Sequence, residues 1–189
     1  NPMDQYKHGS AGRPYGNEVK IIDDSGNYLA FGNIGELVIK GDNVLLEYFK
    51  NEEATAEAFN KDGYFLTGDL GVEDEDGFFM ITGRKKELII KGGENIWPRE
   101  IDDTLYKHNA VLEACTFGIK DENYGEEISA CVFLKDNLFV NEEELLALCT
   151  ADLGEYKTPS QIIFVDKPLP KGPSGKIQRL KIASHYSHT

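Results

Sequence analysis

A chain of 189 residues with 40% hydrophobic and 28% charged side chains has the composition of an ordinary folded protein, suited to one large domain or two small ones. Its 33 acidic and 20 basic side chains give a formal net charge of -13, which argues against a nucleic-acid backbone or an anionic membrane as the main partner. The longest apolar runs, Ala130 to Leu134 and Leu145 to Cys149, fall far short of a bilayer-spanning helix, so no membrane span is expected. Cys115, Cys131 and Cys149 are odd in number and include no CxxC pair, which points to core thiols in a reducing compartment and to a cytoplasmic location. Asn1-Pro2-Met3 does not read as a translation start and no secretory signal pattern follows it, so the sequence is expected to be a piece of something longer.

In chain order, Glu18 to Asp23 and Gly35 to Lys40 are β-branched stretches bounded by turn formers and are expected to be strands. Glu52 to Phe59, rich in Glu and Ala, is expected to be a helix ending near Asp62-Gly63. Tyr64 to Leu70 and Gly77 to Gly83 then read as two strands on either side of the acidic turn Glu73 to Asp76. Beyond Arg84 the pattern alternates. Glu87 to Lys91 is strand-like, and Pro98 opens a helix that puts Ile101 and Leu105 on one face. Strands follow at Leu112 to Ile119 and Ile128 to Lys135. Asn141 with Glu144 three residues on resembles a capping box leading into Leu145, Leu146 and Leu148. Gln161 to Asp166 is a further strand, and the segment from Gly175 is a loop running into a short helix. The order β-α-β-β-α-β implies a small mixed sheet with helices packed on it.

Charge divides at the same place. Residues 1 to 83 carry 6 basic and 16 acidic side chains, a net -10, and residues 84 to 189 carry 14 and 17, a net -3. The second part holds two basic islands, one of Arg84, Lys85, Lys86, Lys91 and Arg99, and one of Lys167, Lys171, Lys176, Arg179 and Lys181. They suit either a small anionic ligand or two solvated surfaces neutralised by acids nearby in space.

Several familiar motifs fail on inspection. Gly172-Pro173-Ser174-Gly175-Lys176-Ile177 is no P-loop, because only two residues separate its glycines and Ile177 stands where a Ser or Thr must meet magnesium. Gly92 and Gly93 are adjacent rather than spaced as in a dinucleotide fingerprint. The histidines at 8, 108, 185 and 188 lack metal-ligand spacing, and no GxSxG elbow is present. Taken singly, Asp69 reads as a turn carboxylate, Arg84 as a strand-end residue and Lys176 as a solvated loop lysine.

Together these residues carry a resemblance. Tyr64-Phe65-Leu66-Thr67-Gly68-Asp69-Leu70, the run from Gly83-Arg84-Lys85-Lys86-Glu87 through Lys91-Gly92-Gly93-Glu94-Asn95-Ile96, and Leu169-Pro170-Lys171-Gly172-Pro173-Ser174-Gly175-Lys176-Ile177-Gln178-Arg179 match, in order and spacing, three signature motifs of the adenylate-forming acyl-CoA synthetase superfamily. Gly9 to Pro14 and Gly35-Glu36-Leu37 fit the segment before them, so the match covers almost the whole chain.

The resemblance implies an α+β fold: a small β-barrel-like segment of the large AMP-binding domain over residues 1 to 83, then a mobile, mixed-sheet α/β C-terminal domain over residues 84 to 189. It implies a ligase that joins a carboxylic acid to AMP and then transfers the acyl group to CoA, with ATP and CoA as substrates and Mg2+ accompanying ATP on residues outside this segment. The N-terminal AMP-binding domain of the same protein would be its partner, and the segment alone would be inactive. By position, Asp69 would accept hydrogen bonds from the ribose hydroxyls, Ile81 would pack beside the nucleoside, and Arg84 would donate to the ribose or phosphate region. Lys86 matches the hinge, and Lys176 matches the lysine that bridges acyl carboxylate and phosphate during adenylation. Gly92, Gly93 and Glu94 match the face lining the pantetheine tunnel. Trp97 and Gly172 depart from the commoner residues at their positions, and neither is a matched catalytic position. Two alternatives fit the same residues: an enzyme that loads a carrier protein's phosphopantetheine arm, and a non-catalytic interaction module.

Overall fold

The computed structural model describes residues 6 to 186, and the chain divides into two compact units, Asn1–Lys86 and Glu87–Thr189. In the first unit, short apolar and β-branched stretches between turns build four antiparallel strands in sequence order: β1 (Glu18–Ile22), β2 (Ile34–Lys40), β3 (Phe65–Glu73) and β4 (Phe79–Arg84). Helix α1 (Glu52–Glu57) interrupts them, capped by the Asn51 side chain, which accepts from the Ala54 N–H at 3.0 Å. Ile21, Leu37 and Phe79 are buried in one apolar cluster of the sheet, with Ile81 half-buried against them, while Ile22, Val38 and Tyr64 form another. The expected barrel-like closure is not there. β1 and β4 end the strand order without pairing to each other among the described residues, and the outer side of β4 is partly covered by Ala11 and Gly12, which exchange backbone hydrogen bonds with Phe79 at 2.7 and 2.9 Å.

A short 3-10 turn at Lys85–Glu87 straddles the division between the units, and only Glu87 of it belongs to the second. The strand-like stretch is thus shorter than its sequence suggests: β5 spans Ile89–Lys91 and pairs with β6 (Glu94–Ile96) across Gly92 and Gly93, a second arm that the sequence reading lacked. Helix α2 (Pro98–Leu105), strands β7 (Val111–Asp121) and β8 (Gly125–Leu134), helix α3 (Glu142–Leu153), strand β9 (Gln161–Val165) and helix α4 (Arg179–Tyr186) follow. β9 runs parallel to β8 and every other pairing is antiparallel, so the sheet is mixed.

Strand alternation explains the two-faced core. Ala114, Ile128, Ala130 and Val132 join Ile101, Leu105 and Leu145 in one cluster, and Cys115, Phe117 and Cys131 join Leu169 and Ile182 in another. The uninterrupted apolar run in β8 is that of a strand covered on both faces. The Asn141 side chain caps α3 by accepting from the Glu144 N–H at 2.8 Å, but the box does not close, since Glu144 turns to His108 at 3.2 Å. No helix among the described residues is long and apolar enough to cross a membrane.

All three cysteines are free and buried. Burial pushes the thiols up, Cys115 to about 12 and both Cys131 and Cys149 to about 11. A maleimide at pH 8 is therefore expected to label none of them in the native chain and all of them in denaturant. Native-state labelling of Cys131, followed by mass spectrometry, would contradict this packing.

Candidate functional site

Asp69 and Arg84 lie on neighbouring strands as a directly opposed pair, and Arg84 Nε meets Asp69 Oδ1 at 3.0 Å. Asp69 sits just after a turn that the backbone cannot hold by strand pairing alone, since the register shifts on both β2 and β3 there. Side chains supply the missing bonds. Thr67 Oγ1 accepts from the Asp69 N–H at 3.0 Å and donates to the Leu37 carbonyl at 2.7 Å, and Glu36 Oε1 accepts from the Gly68 N–H at 3.1 Å. Glu36 is buried, and its other oxygen accepts from Lys85 Nζ at 3.1 Å. One carboxylate thus holds both the Asp69 turn and the residue after Arg84. Sequence reasoning matched Glu36 as part of a motif without seeing this role; its burial between two loops distant in sequence left no periodic signal.

Around Lys86 the contacts separate. Lys85 is tied within the first unit to Asp24 and Glu36, at 2.9 and 3.1 Å, and the Asp24 hydrogen bond foremost raises its pKa. Glu87 is tied within the second unit, its Oε2 accepting from Arg179 Nε at 2.9 Å. Lys86 between them is exposed, and its side chain makes no hydrogen bond or ion pair with the described residues.

Gly92 and Gly93 form the two-residue turn of the β5–β6 hairpin with φ of 57° and 86°, the left-handed pair that such hairpins require. The turn is held from beside: Tyr156 Oη donates to the Lys91 carbonyl at 2.5 Å, the Gly92 N–H donates to the Tyr124 carbonyl at 2.8 Å, and the buried Lys91 ammonium pairs with Glu127 at 2.9 Å. Gly92, Gly93 and Glu94 are exposed, and a Cβ built on Gly93 would meet no atom within 4 Å. The backbone is therefore open to a close approach from outside.

Lys176 stands at the tip of another tight hairpin, closed by the Gly172 N–H donating to the Lys176 carbonyl and the Gly175 N–H donating to the Gly172 carbonyl, both at 2.9 Å. Pro173 pre-sets the turn and Gly175 supplies φ of 78°. The Lys176 side chain is exposed and has no hydrogen bond or ion pair with the described residues. Beyond it Arg179, with its side chain 15% exposed, donates from Nε to Glu87, from Nη1 to the Thr116 carbonyl at 2.5 Å and from Nη2 to Asp102 Oδ2 at 2.9 Å. Asp102 Oδ1 accepts from the Thr116 N–H at 2.6 Å, so both oxygens act as acceptors and the group is a carboxylate, although burial, opposed by Arg179, raises its pKa. Burial alone would lower the Arg179 pKa; the coulombic pull of Asp102 reverses that and keeps the guanidinium charged. Asp102 escaped the sequence reading because it shares the buried face of α2 with Ile101 and Leu105, where a carboxylate breaks the expected pattern.

Most of the two basic islands is thus neutralised by acids from elsewhere in the same unit, with Lys91 on Glu127, Lys171 on Glu113 and Arg179 on Glu87 and Asp102. Lys86, Lys167, Lys176 and Lys181 are the island members left without an acid partner among the described residues. Those residues also contain no group of His, Cys, Asp and Glu able to hold a metal ion, and His188 lies outside them.

A family model described as the AMP-binding enzyme matches residues 1–49, and one described as the AMP-binding enzyme C-terminal domain matches residues 100–176. The chain belongs to the adenylate-forming, AMP-binding enzymes. Within that family it is 48% identical to the sulfoacetate–CoA ligase of Cupriavidus necator over 98% of its own length and 36% of the relative's. Among solved structures, ATP-bound MatB from Rhodopseudomonas palustris superposes with a TM-score of 0.93 at 34% identity, over 99% of this chain and 38% of that one. The o-succinylbenzoate CoA synthetase of Bacillus subtilis, in complex with its acyl-adenylate, gives 0.85 at 38% identity over 93% and 36%. The chain therefore spans about a third of the length of the relatives it matches and has the fold of their C-terminal part.

The glycine turn gives a direct test of the local geometry. Gly93→Asn should be nearly neutral, and Gly93→Leu should cost about 1–2 kcal/mol from the left-handed backbone alone. Gly92→Ala should cost more than Gly93→Ala, because its Cβ would come within 2.9 Å of Tyr156 Oη and 3.4 Å of Tyr124 Cδ1. Urea midpoints of the four variants check the order, and equal midpoints for the two alanine variants would contradict it.

Proposed function

We propose that the chain is the C-terminal part of an AMP-forming acyl-CoA ligase, in which a carboxylate attacks the α-phosphorus of ATP with loss of pyrophosphate, and CoA sulfur then attacks the acyl carbon with loss of AMP. One observation carries this reading. The cations at the matched hinge and catalytic positions, Lys86 and Lys176, are exposed and unpaired, while the charged neighbours that position them, Lys85, Glu87, Lys171 and Arg179, are all tied down. A lysine meant to meet a ligand's charge must not already be neutralised.

Each matched residue then has a task. Asp69 accepts the ribose hydroxyls, using the oxygen that Arg84 does not hold, and Arg84 is free to lean from Asp69 toward the nucleotide, since its side chain is 60% exposed. Ile81, half-buried against the sheet, offers the nucleoside an apolar contact. Lys176 neutralises charge accumulating on the phosphoryl oxygens as the carboxylate attacks. Rotation at Lys86 exchanges that lysine for the Gly92–Gly93 turn, whose open backbone suits the thin pantetheine arm of CoA, with Glu94 at its edge. Mg2+ would arrive with the triphosphate on residues outside this segment. The relatives' names support CoA as the thiol acceptor.

The half-reactions separate these roles in the full-length ligase. Lys176→Ala should slow adenylate formation by about 10²–10³-fold and leave thioester formation from supplied adenylate intact. Lys86→Pro should do the reverse, since proline fixes φ near about -65°. Asp69→Ala should weaken nucleotide binding in both steps by about 1.5–3 kcal/mol. A Lys176→Ala enzyme equally slow in both steps would contradict the assignment, as would ATP–pyrophosphate exchange by the 189-residue chain alone.

A further inference from the structure

The Lys176 hairpin has little to stiffen it locally. Pro173, Ser174, Gly175 and Lys176 are all exposed, and a two-stranded ribbon of this length is marginal by itself. Its direction is set at its roots. On one side Lys171 Nζ meets Glu113 Oε1 at 2.5 Å, and Glu113 Oε2 accepts from the Leu169 N–H at 2.7 Å. On the other, Arg179 grips Glu87, Asp102 and the Thr116 carbonyl. Between the roots the Gln178 N–H closes the neck on the Pro170 carbonyl at 2.8 Å, and Leu169 and Ile177 pack with Cys115 and Phe117. Both roots therefore rest on β7, at Glu113 and Thr116, about 10 Å apart along the strand.

We infer that these two ion-pair systems form a clamp that aims Lys176, so that Lys171 and Arg179 are positioning residues for adenylation; the inference rests on the reading of Lys176 given above. A single root would leave the ribbon free to pivot about it. Two roots on one rigid strand fix its direction, and the Glu87 contact ties that direction to the residue next to Lys86. Precision matters because a displacement of about 1 Å costs about a hundredfold in rate when a catalytic charge must meet a transition state.

The test uses the full-length ligase with Lys171→Met, Lys171→Arg, Arg179→Gln and, as reference, Lys176→Ala. Lys171→Met should lower the adenylation kcat about tenfold with the KM for ATP within about twofold, leaving thioester formation from supplied adenylate unchanged. Lys171→Arg, which keeps the ion pair, should restore most of the rate. Arg179→Gln should show the same split with a loss of about a hundredfold. If Arg179→Gln does not fold, Lys171→Met decides the matter, because the Lys171 side chain is 42% exposed. A folded Lys171→Met enzyme with normal adenylation, or with both half-reactions slowed equally, overturns the clamp. Hydrogen exchange reads the clamp independently of catalysis: the Gly172 and Gln178 amides should exchange about tenfold faster in Lys171→Met. Unchanged exchange overturns the clamp, whereas normal adenylation by Lys176→Ala overturns the catalytic reading of Lys176 and, with it, the positioning role of Lys171 and Arg179, whatever the exchange shows.

Discussion

The Arg179 guanidinium is the cation on which the second unit is organised. It stands at the start of α4, and α2, β7 and the turn residue Glu87 each supply one of its partners, Asp102, the Thr116 carbonyl and the Glu87 carboxylate. A buried ion pair of this kind adds little net stability over an apolar replacement, but removing one partner leaves a stranded charge that costs about 3–5 kcal/mol. Its effect is therefore geometric. Asp102, bound at both oxygens, fixes α2 against β7, and Arg179 fixes the start of α4 to that same point. The Lys176 hairpin leaves the body of the unit immediately before this anchor.

Glu36 serves the first unit as Arg179 serves the second. It joins the Gly68 backbone, beside Asp69, to Lys85, beside Arg84. Bonding therefore runs up to Lys85 on one side and begins again at Glu87 on the other, with Lys86 left out of both networks. On the proposed function this is what a joint requires: two anchored ends and one residue whose dihedrals change without breaking a side-chain contact.

Elements with a strong local cause could be read from the sequence. β-Branched stretches between turn formers marked β1 and β2, Pro98 marked the start of α2, and Asn141 marked the start of α3. The β5–β6 hairpin escaped because each arm is three residues long, too short for a period, and its Gly-Gly pair was weighed as a nucleotide fingerprint and a tunnel lining but not as a hairpin turn. The first sheet was read as barrel-like by family analogy, and its four strands do not close into a barrel among the described residues. Asp69, Arg84, Lys86 and Lys176 could be singled out as candidates because their neighbours form contiguous motifs. Glu36, Asp102 and Glu113 were not, because each acts on a residue far away in sequence, and only the folded chain brings those partners together.

The most direct measurement is the distance between spin labels placed one on each unit, at Lys61→Cys and Ala151→Cys, in the full-length ligase with other reactive cysteines removed. Both positions are exposed, and the three cysteines of this segment are buried. Pulsed dipolar spectroscopy with ATP and an unreactive acid analogue should give one distance distribution, and a stable adenylate analogue with CoA should give a different one. The same distribution under both conditions would contradict a joint at Lys86 that exchanges Lys176 for the Gly92–Gly93 turn.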